Sequence, residues 1–176
     1  ARRSPGSAIK PFVYATAFEE GRTFDDFIKN SAFKMTGANG KAWAPQNFRE
    51  DHPVPVGPIP LPIGFIRSVN LPTLQMILGI ENGMDKFISL ANICGIWGSR
   101  NVLKNSDGDI WFKYLSSIEE GTPYNQEDGL VPKLPTVIGA SGVSLIELAS
   151  GYGVFARNGK YIQPQLIREV IDPDGK

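Results

Sequence analysis

A chain of 176 residues fits one domain or part of one, since single cores hold ~100–200 residues. Its 41% hydrophobic and 20% charged residues exclude a disordered chain, and 18 Lys+Arg against 18 Asp+Glu remove the basic excess expected of a nucleic-acid binder. A single Cys and a single His exclude an internal disulfide and a Cys/His zinc cluster, while 19 Gly and 14 Pro, above the ~12% of ordinary chains, call for many turns.

The start, Ala1-Arg2-Arg3-Ser4-Pro5-Gly6, reads as the middle of a domain, because no apolar stretch ending in small residues follows the basic pair as it would in a signal peptide. Phe12, Ala15 and Phe18 recur at helical spacing and predict a helix from about Ser7 to Glu20, with Gly21 as its C′ residue. From Arg22 to Gly64 the chain is rich in Gly, Pro and Asn and reads as a long irregular connection with one short helix near Phe27. Its apolar run Val54 to Ile66 contains Pro55, Pro58, Pro60 and Pro62, so it is no membrane helix, and the chain carries no transmembrane segment and reads as soluble. A helix near Ile63 to Ser68 stops at a turn, and Pro72 opens the next, which runs through Leu78 to Gly79. Met84, Phe87, Ile88 and Ala91 follow an i, i+3, i+4, i+7 pattern that closes at Gly95. Gly98 to Gly129 reads as an irregular insertion with a short helix near Phe112 to Ile118. Ser144-Leu145-Ile146-Glu147 is a capping box opening a helix with Leu145, Leu148, Ala149, Tyr152, Phe155 and Ala156 as its apolar face and Gly159 as C′ residue. Leu166 to Ile171 reads as a strand, and Asp172-Pro173-Asp174-Gly175 as a turn toward a partner strand.

Pro5-Gly6-Ser7-Ala8-Ile9-Lys10-Pro11-Phe12 sets a serine in the first turn of a helix and a lysine three residues later on the same face. Serine is a weak nucleophile at neutral pH, and a desolvated lysine amine can serve as its base. The free N–H groups of a helix start can face a developing oxyanion, and Pro11 has no N–H to donate to the carbonyl of Ser7. Ser-x-x-Lys recurs at Ser31-Ala32-Phe33-Lys34, in the irregular stretch and without a helix start; Ser-x-Asn occurs at Ser68-Val69-Asn70 and at Ser99-Arg100-Asn101. Context selects Ser7 with Lys10 and Ser68 with Asn70. The first pair sits in the specific string R-x-P-G-S-x-x-K-P-F; the second lies on a turn between helices, where a hydroxyl can relay a proton and a carboxamide can hydrogen-bond both lysine and a substrate amide.

With these strings the chain resembles the transpeptidase domain of class A penicillin-binding proteins, within the serine acyl-transferase group that includes serine β-lactamases. The resemblance extends through Trp43-Ala44-Pro45-Gln46-Asn47-Phe48, similar to the family's aromatic-x-Pro-x-Asn element, and Gly57-Pro58. It continues through Leu134 to Gly139, Glu147-Leu148-Ala149 with Tyr152 to Gly159, and Pro164 to Gly175, in the same order. It implies an α+β fold of helices packed on a five-stranded antiparallel sheet, of which this chain is a mostly helical segment. The implied activity is a penicillin-sensitive D,D-transpeptidase that cross-links peptidoglycan stem peptides. Ser7 would be the acylated nucleophile, Lys10 its base, Ser68 a proton relay and Asn70 a substrate-positioning group. The implied partners are peptidoglycan stem peptides, β-lactam antibiotics and a glycosyltransferase domain in a longer parent chain, with no cofactor or metal. The implied location is the outer face of the bacterial cytoplasmic membrane.

The family's third motif, Lys-Thr-Gly or Lys-Ser-Gly, is missing; Lys34-Met35-Thr36-Gly37 has an extra residue and precedes Ser68. The expectation is therefore a partial domain over residues 1–176, with the third motif following soon after Lys176, and no activity for the segment alone. Two rival readings remain: a catalytically inactive binding or scaffolding module, and a D,D-carboxypeptidase or other serine hydrolase built on the Ser7–Lys10 pair. Cys94 is expected in the core, His52 at the surface, Glu19 and Glu20 solvated or paired away from their helix, and Trp43, Trp97 and Trp111 as anchors for irregular segments. Asp107-Gly108-Asp109 and Glu127-Asp128 are expected as solvated loops, since the EF-hand pattern fails.

Overall fold

The computed structural model describes residues 2–36, 40–48, 54–96 and 130–165, and the backbone of 101–104 and 110–113. In chain order the elements are β1 (Arg2–Arg3), a 3-10 turn (Gly6–Ile9), α1 (Lys10–Glu19), β2 (Phe27–Asn30), β3 (Met35–Thr36), β4 (Ala42–Trp43), β5 (Gly57–Pro60) and α2 (Leu61–Ile66). They continue as α3 (Asn70–Leu78), α4 (Gly83–Ile93), β6 (Asn101–Lys104), β7 (Ile110–Lys113), a second 3-10 turn (Leu134–Ile138), β8 (Val143–Ser144) and α5 (Leu145–Ala156). The fold is α+β. The described strands pair antiparallel in twos, β1 with β8, β2 with β5, β3 with β4 and β6 with β7. Among the described residues no helix is long and apolar enough to cross a membrane.

The centre is α1, which has no single apolar stripe. Phe12, Val13, Tyr14, Thr16 and Ala17 are all buried, pointing in several directions, and such a helix belongs inside a core rather than on it. It packs against α2, α3, α4 and the 3-10 turn at Leu134–Ile138. Polar groups brought inside find partners: Thr16 Oγ1 donates to Phe12 O at 2.9 Å, and the Tyr14 hydroxyl lies 3.4 Å from Thr73 Oγ1, which donates to Val69 O at 2.7 Å. Gly21 (φ +88°) ends α1 as expected, with Arg22 N–H bonded to Ala17 O. Glu20, at the helix end where its charge is disfavoured, pairs with Lys86 of α4 at 2.5 Å.

The irregular connection holds a strand where a short helix was expected near Phe27. β2 alternates exposed and buried residues, and its Ile28 and Asn30 face the core. Its partner β5 reads Gly-Pro-Ile-Pro, which sequence alone demotes from strand status. Pro58 and Pro60 lie two apart and so share one side of the strand, while buried Ile59 pairs with Ile28. A two-stranded ladder leaves that other side free of donors, so the prolines cost no hydrogen bond. Similarly, α3 begins two residues earlier than Pro72 predicts, at Asn70, because Pro72 sits in the first turn, where no N–H is needed. The helix near Ile63 lies at Leu61–Ile66, and Gly95 (φ +85°) closes the α4 pattern. The predicted helix near Phe112 is contradicted where it is described: Ile110–Lys113 is a strand, paired with Asn101–Lys104. Positions 114–118 lie outside the described residues, as do the Leu166–Ile171 strand, the Asp172–Gly175 turn, His52, Trp97 and the acidic loops at 107–109 and 127–128.

The capping box of α5 forms as predicted: Ser144 N–H donates to Glu147 Oε2 at 2.9 Å and Glu147 N–H to Ser144 Oγ at 3.3 Å. Its buried positions follow the apolar stripe only in part: Leu148 packs on the core, and Tyr152 and Phe155 keep ring contact with Phe12. Glu147, Gly151 and Val154 turn inward, whereas Leu145, at 81% exposure, Tyr152 and Phe155 are exposed. A β-carbon on Gly151 would lie 3.0 Å from Ile96 and from Phe12, so a glycine lets α5 lie close to α1. Glu147 faces inward because Arg2 waits there, 2.9 Å away and also bonded to Gly142 O at 3.3 Å. The helix also ends one residue earlier than expected: Asn158 (φ +51°), and not Gly159, follows the C-cap Arg157.

Two stability predictions follow from these buried groups. Replacing Glu147 by Ala removes the carboxylate half of the capping box and the ion pair with Arg2, and is expected to lower unfolding free energy by about 2–3 kcal/mol in a denaturant titration; a loss of under about 0.5 kcal/mol, the size of an ordinary surface change, would contradict this packing. Burial pushes the Tyr14 phenol from 10.0 up to about 12, only partly offset by Thr73. Because the folded value is the higher one, the stability Tyr14 contributes is intact below pH 10 and is lost as pH rises toward 12. The stability difference between the native protein and Tyr14→Phe should therefore shift by about 2–3 kcal/mol in favour of the variant across that window, and a pH-independent difference would refute it.

Candidate active site

The segment before α1 is shaped by two residues. In a continuous α-helix the carbonyl of Ser7 would bond the N–H of residue 11, but Pro11 has none. Lys10 N–H bonds Ser7 O instead, and the turn tightens to 3-10. Three residues per turn bring positions i and i+3 into line, so Ser7 and Lys10 lie on one face, a single turn apart. Gly6 takes φ +54° to lead the chain into this turn. Its N–H reaches Gly139 O at 3.3 Å, and Ser4 Oγ bonds the same carbonyl. Gly139 itself has φ +86°, and a β-carbon there would stand 2.0 Å from Gly6 O, so the contact requires glycine on both counts. On the far side, Tyr152 of α5 donates to Ala8 O at 2.8 Å.

Ser68 stands between α2 and α3. Its N–H bonds Phe65 O at 2.9 Å and Val69 N–H bonds Gly64 O at 3.0 Å, the paired bonds of a Schellman ending to α2. The motif asks its C′ residue for a left-handed backbone, and Ser68 supplies it at φ +52°, where glycine is the usual occupant. A side chain at this position costs about 1 kcal/mol relative to glycine.

Lys10 joins the two segments. It is 2% exposed, yet its Nζ donates to Ser68 O, to Ser68 Oγ at 3.1 Å and to Asn70 Oδ1 at 2.7 Å. Those acceptors match in number the N–H bonds of an ammonium. Ser7 and Ser68 are both exposed and Asn70 is half-buried, so the buried lysine is flanked by two serines at the surface. The structure thus brings Lys10, Ser68 and Asn70 into direct contact, with Ser7 one turn before Lys10. As a neutral amine, Lys10 could accept a proton from a neighbouring hydroxyl; of the N–H groups flanking Ser7, that of Gly6 bonds Gly139 O and that of Ala8 bonds Pro5 O at 3.2 Å.

Sequence reasoning gave no site role to the residues that hold this cluster. Asn70 Nδ2 donates to Gln46 O at 3.0 Å. Asn47 Oδ1 accepts from Leu71 N–H at 2.9 Å, and Asn47 Nδ2 donates to Asn30 Oδ1 at 2.8 Å. Asn30, 1% exposed, donates in turn to Pro55 O at 2.7 Å. The Trp43–Phe48 string was the available signal for Gln46 and Asn47; nothing in the sequence marked Asn30. The second Ser-x-x-Lys match is structural in part: Ser31 accepts from Gln75 Nε2 through its carbonyl and hydroxyl, and Phe33 packs on the core beside Trp43. Cys94 is buried, and burial raises its thiol above the ordinary value, as a core role requires.

Residues 1–176 match the penicillin binding protein transpeptidase domain. The chain is 30% identical to penicillin-binding protein 1C of Escherichia coli K12 over 158 residues, covering 90% of this chain and 16% of that protein. It is 27% identical to penicillin-binding protein 1A of Vibrio cholerae, covering 98% of this chain and 17% of that protein. It therefore spans about a sixth of the length of these relatives. The penicillin-binding protein PonA1 of Mycobacterium tuberculosis shares the fold at TM-score 0.70 and 22% identity, over 100% of this chain and 39% of the other. This chain belongs to the penicillin-binding protein transpeptidase domain family.

Proposed function

We propose that the chain forms part of a penicillin-sensitive D,D-transpeptidase that cross-links peptidoglycan stem peptides. The observation that carries this reading is the buried Lys10, held by Ser68 and Asn70 one turn from the exposed Ser7. A lysine inside a core costs free energy unless it has work or partners there, and this one lies where a serine needs a base.

In the proposed reaction Lys10, as the neutral amine, takes the proton of Ser7 Oγ as that oxygen attacks the carbonyl of the penultimate D-Ala. The tetrahedral oxyanion is met by N–H groups at the start of the helix. The proton passes through Ser68 to the amine of the terminal D-Ala, which leaves, and the acyl group remains on Ser7. The amine of a second stem peptide then attacks the ester, gives up its proton along the same path and frees Ser7. Asn70 fixes the lysine through Oδ1 and orients the substrate amide. β-Lactams would acylate the same serine. The third motif and a glycosyltransferase domain belong to the longer protein in this reading, which places it at the outer face of the bacterial cytoplasmic membrane.

A fluorescent penicillin tests the reading. The full-length protein should carry one label that maps to Ser7 and disappears in Ser7→Ala; an unlabelled protein would favour the inactive binding module. Ser68→Gly separates chemistry from folding. Glycine relieves the left-handed backbone by about 1 kcal/mol, which offsets part of the acceptor lost to Lys10, so this variant should stay folded, as its melting curve would show, while its acylation rate falls at least ~100-fold, the scale of a lost proton-transfer group. Unchanged acylation in Ser68→Gly would remove Ser68 from the mechanism.

A further inference from the structure

The orientation of the Asn70 carboxamide is dictated by what faces it. The Lys10 ammonium only donates and the Gln46 carbonyl only accepts, so a single orientation satisfies both, with Oδ1 toward Lys10 at 2.7 Å and Nδ2 toward Gln46 O at 3.0 Å. That choice depends on where Gln46 and the first turn of α3 stand relative to each other. Gln46 lies in a segment without helix or strand, and the next residue, Asn47, ties that segment to the helix. Asn47 Oδ1 accepts the N–H of Leu71, immediately after Asn70, and so caps α3 from a distant part of the chain in place of Val69, whose side chain makes no cap. Asn47 Nδ2 is held by the buried Asn30, itself on β2 of the β2–β5 pair and fixed to Pro55 O just before β5. The Asn30–Asn47 pair thus links a rigid ladder to the turn that carries Ser68 and Asn70.

We propose that Asn47 is a positioning residue for acyl transfer: by fixing the start of α3 against the Gln46 carbonyl, it makes Asn70 present Oδ1 to Lys10 instead of its amide N–H groups. The proposal rests on the acyl-transfer reading above. Without the clamp, Asn70 can rotate and turn donors toward a cation, and Lys10 loses the acceptor that fixes its amine relative to Ser7. A displacement of about 1 Å at such a distance from the chemistry is enough to cost ~100-fold in rate.

The test is a double-mutant cycle in the full-length protein, read as the limiting acylation rate by penicillin and, separately, as the concentration giving half that rate. Asn47→Ala should lower the limiting rate roughly 10- to 100-fold with little change in the half-saturating concentration. In an Asn70→Ala background, where there is no carboxamide left to orient, the same substitution should lower the rate less than about twofold. Equal losses in both backgrounds would show a general structural effect and overturn the proposal, as would an unaltered rate in Asn47→Ala. If Asn47→Ala does not fold, Asn47→Asp, which keeps an acceptor for Leu71 N–H, goes through the same cycle with the same criterion. A native protein that penicillin does not acylate would sink the acyl-transfer reading and this proposal together; an acylated native protein with an additive cycle sinks this proposal alone.

Discussion

A cation buried in an apolar core is the costliest thing this chain does. Lys10 begins the most deeply buried helix and is itself 2% exposed. An ammonium taken from water needs close acceptors or the fold loses several kcal/mol. Those acceptors come from residues about sixty positions further along, the carbonyl and hydroxyl of Ser68 and the carboxamide of Asn70. Much of the surrounding architecture serves to hold them in place: the Schellman ending of α2, the left-handed Ser68 and the start of α3 beside Gln46 and Asn47.

The Ser7 side obeys a separate constraint. Pro11 denies Ser7 O its α-helical partner, Gly6 turns the chain in, and the Gly6–Gly139 approach leaves no room for a side chain at Gly139. Arg2, Glu147 and the Ser144 cap tie the same end of the chain to α5, whose Tyr152 bonds back to Ala8. Ser7 is thus held from the N-terminal side and Lys10 from the side of α3, and the two meet across one turn of 3-10 helix. In the proposed reading, a site of serine, lysine and asparagine asks for this kind of rigidity, because such groups are weak catalysts until they are placed.

What was legible in the sequence was mainly local. The stops at Gly21 and Gly95 and the capping box at Ser144 depend on near neighbours and lie where the residues put them, whereas α1 begins at Lys10 and not at Ser7 because Pro11 tightens the turn before it to 3-10. The pairing of Ser7–Lys10 with Ser68–Asn70 was legible through motif and resemblance, and the contacts of Lys10 agree with it. What failed was non-local. Phe27–Asn30 becomes a strand only because Gly57–Pro60 returns beside it, and two prolines hid that partner. Of the stripe Leu145, Tyr152, Phe155, Leu145 lies outward and the two rings are partly exposed against Phe12, while Glu147 turns inward to meet Arg2, a contact no periodicity contains. Asn30 and Asn47 show the same limit: an asparagine in an irregular stretch looks like turn chemistry, and only the folded chain shows it gripping a helix.

The central claim is that Lys10 is kept in the core for proton transfer rather than for stability. Lys10→Met tests it most directly, because methionine fills similar volume without a charge, and replacing a buried charge in this way is often neutral or stabilising. The measurement is the rate of Ser7 acylation by penicillin in a variant shown by its melting curve to be folded. The account predicts a loss of at least ~100-fold, the scale of a removed general base. A folded Lys10→Met protein acylated within about tenfold of the native rate, less than a general base ordinarily contributes, would contradict it.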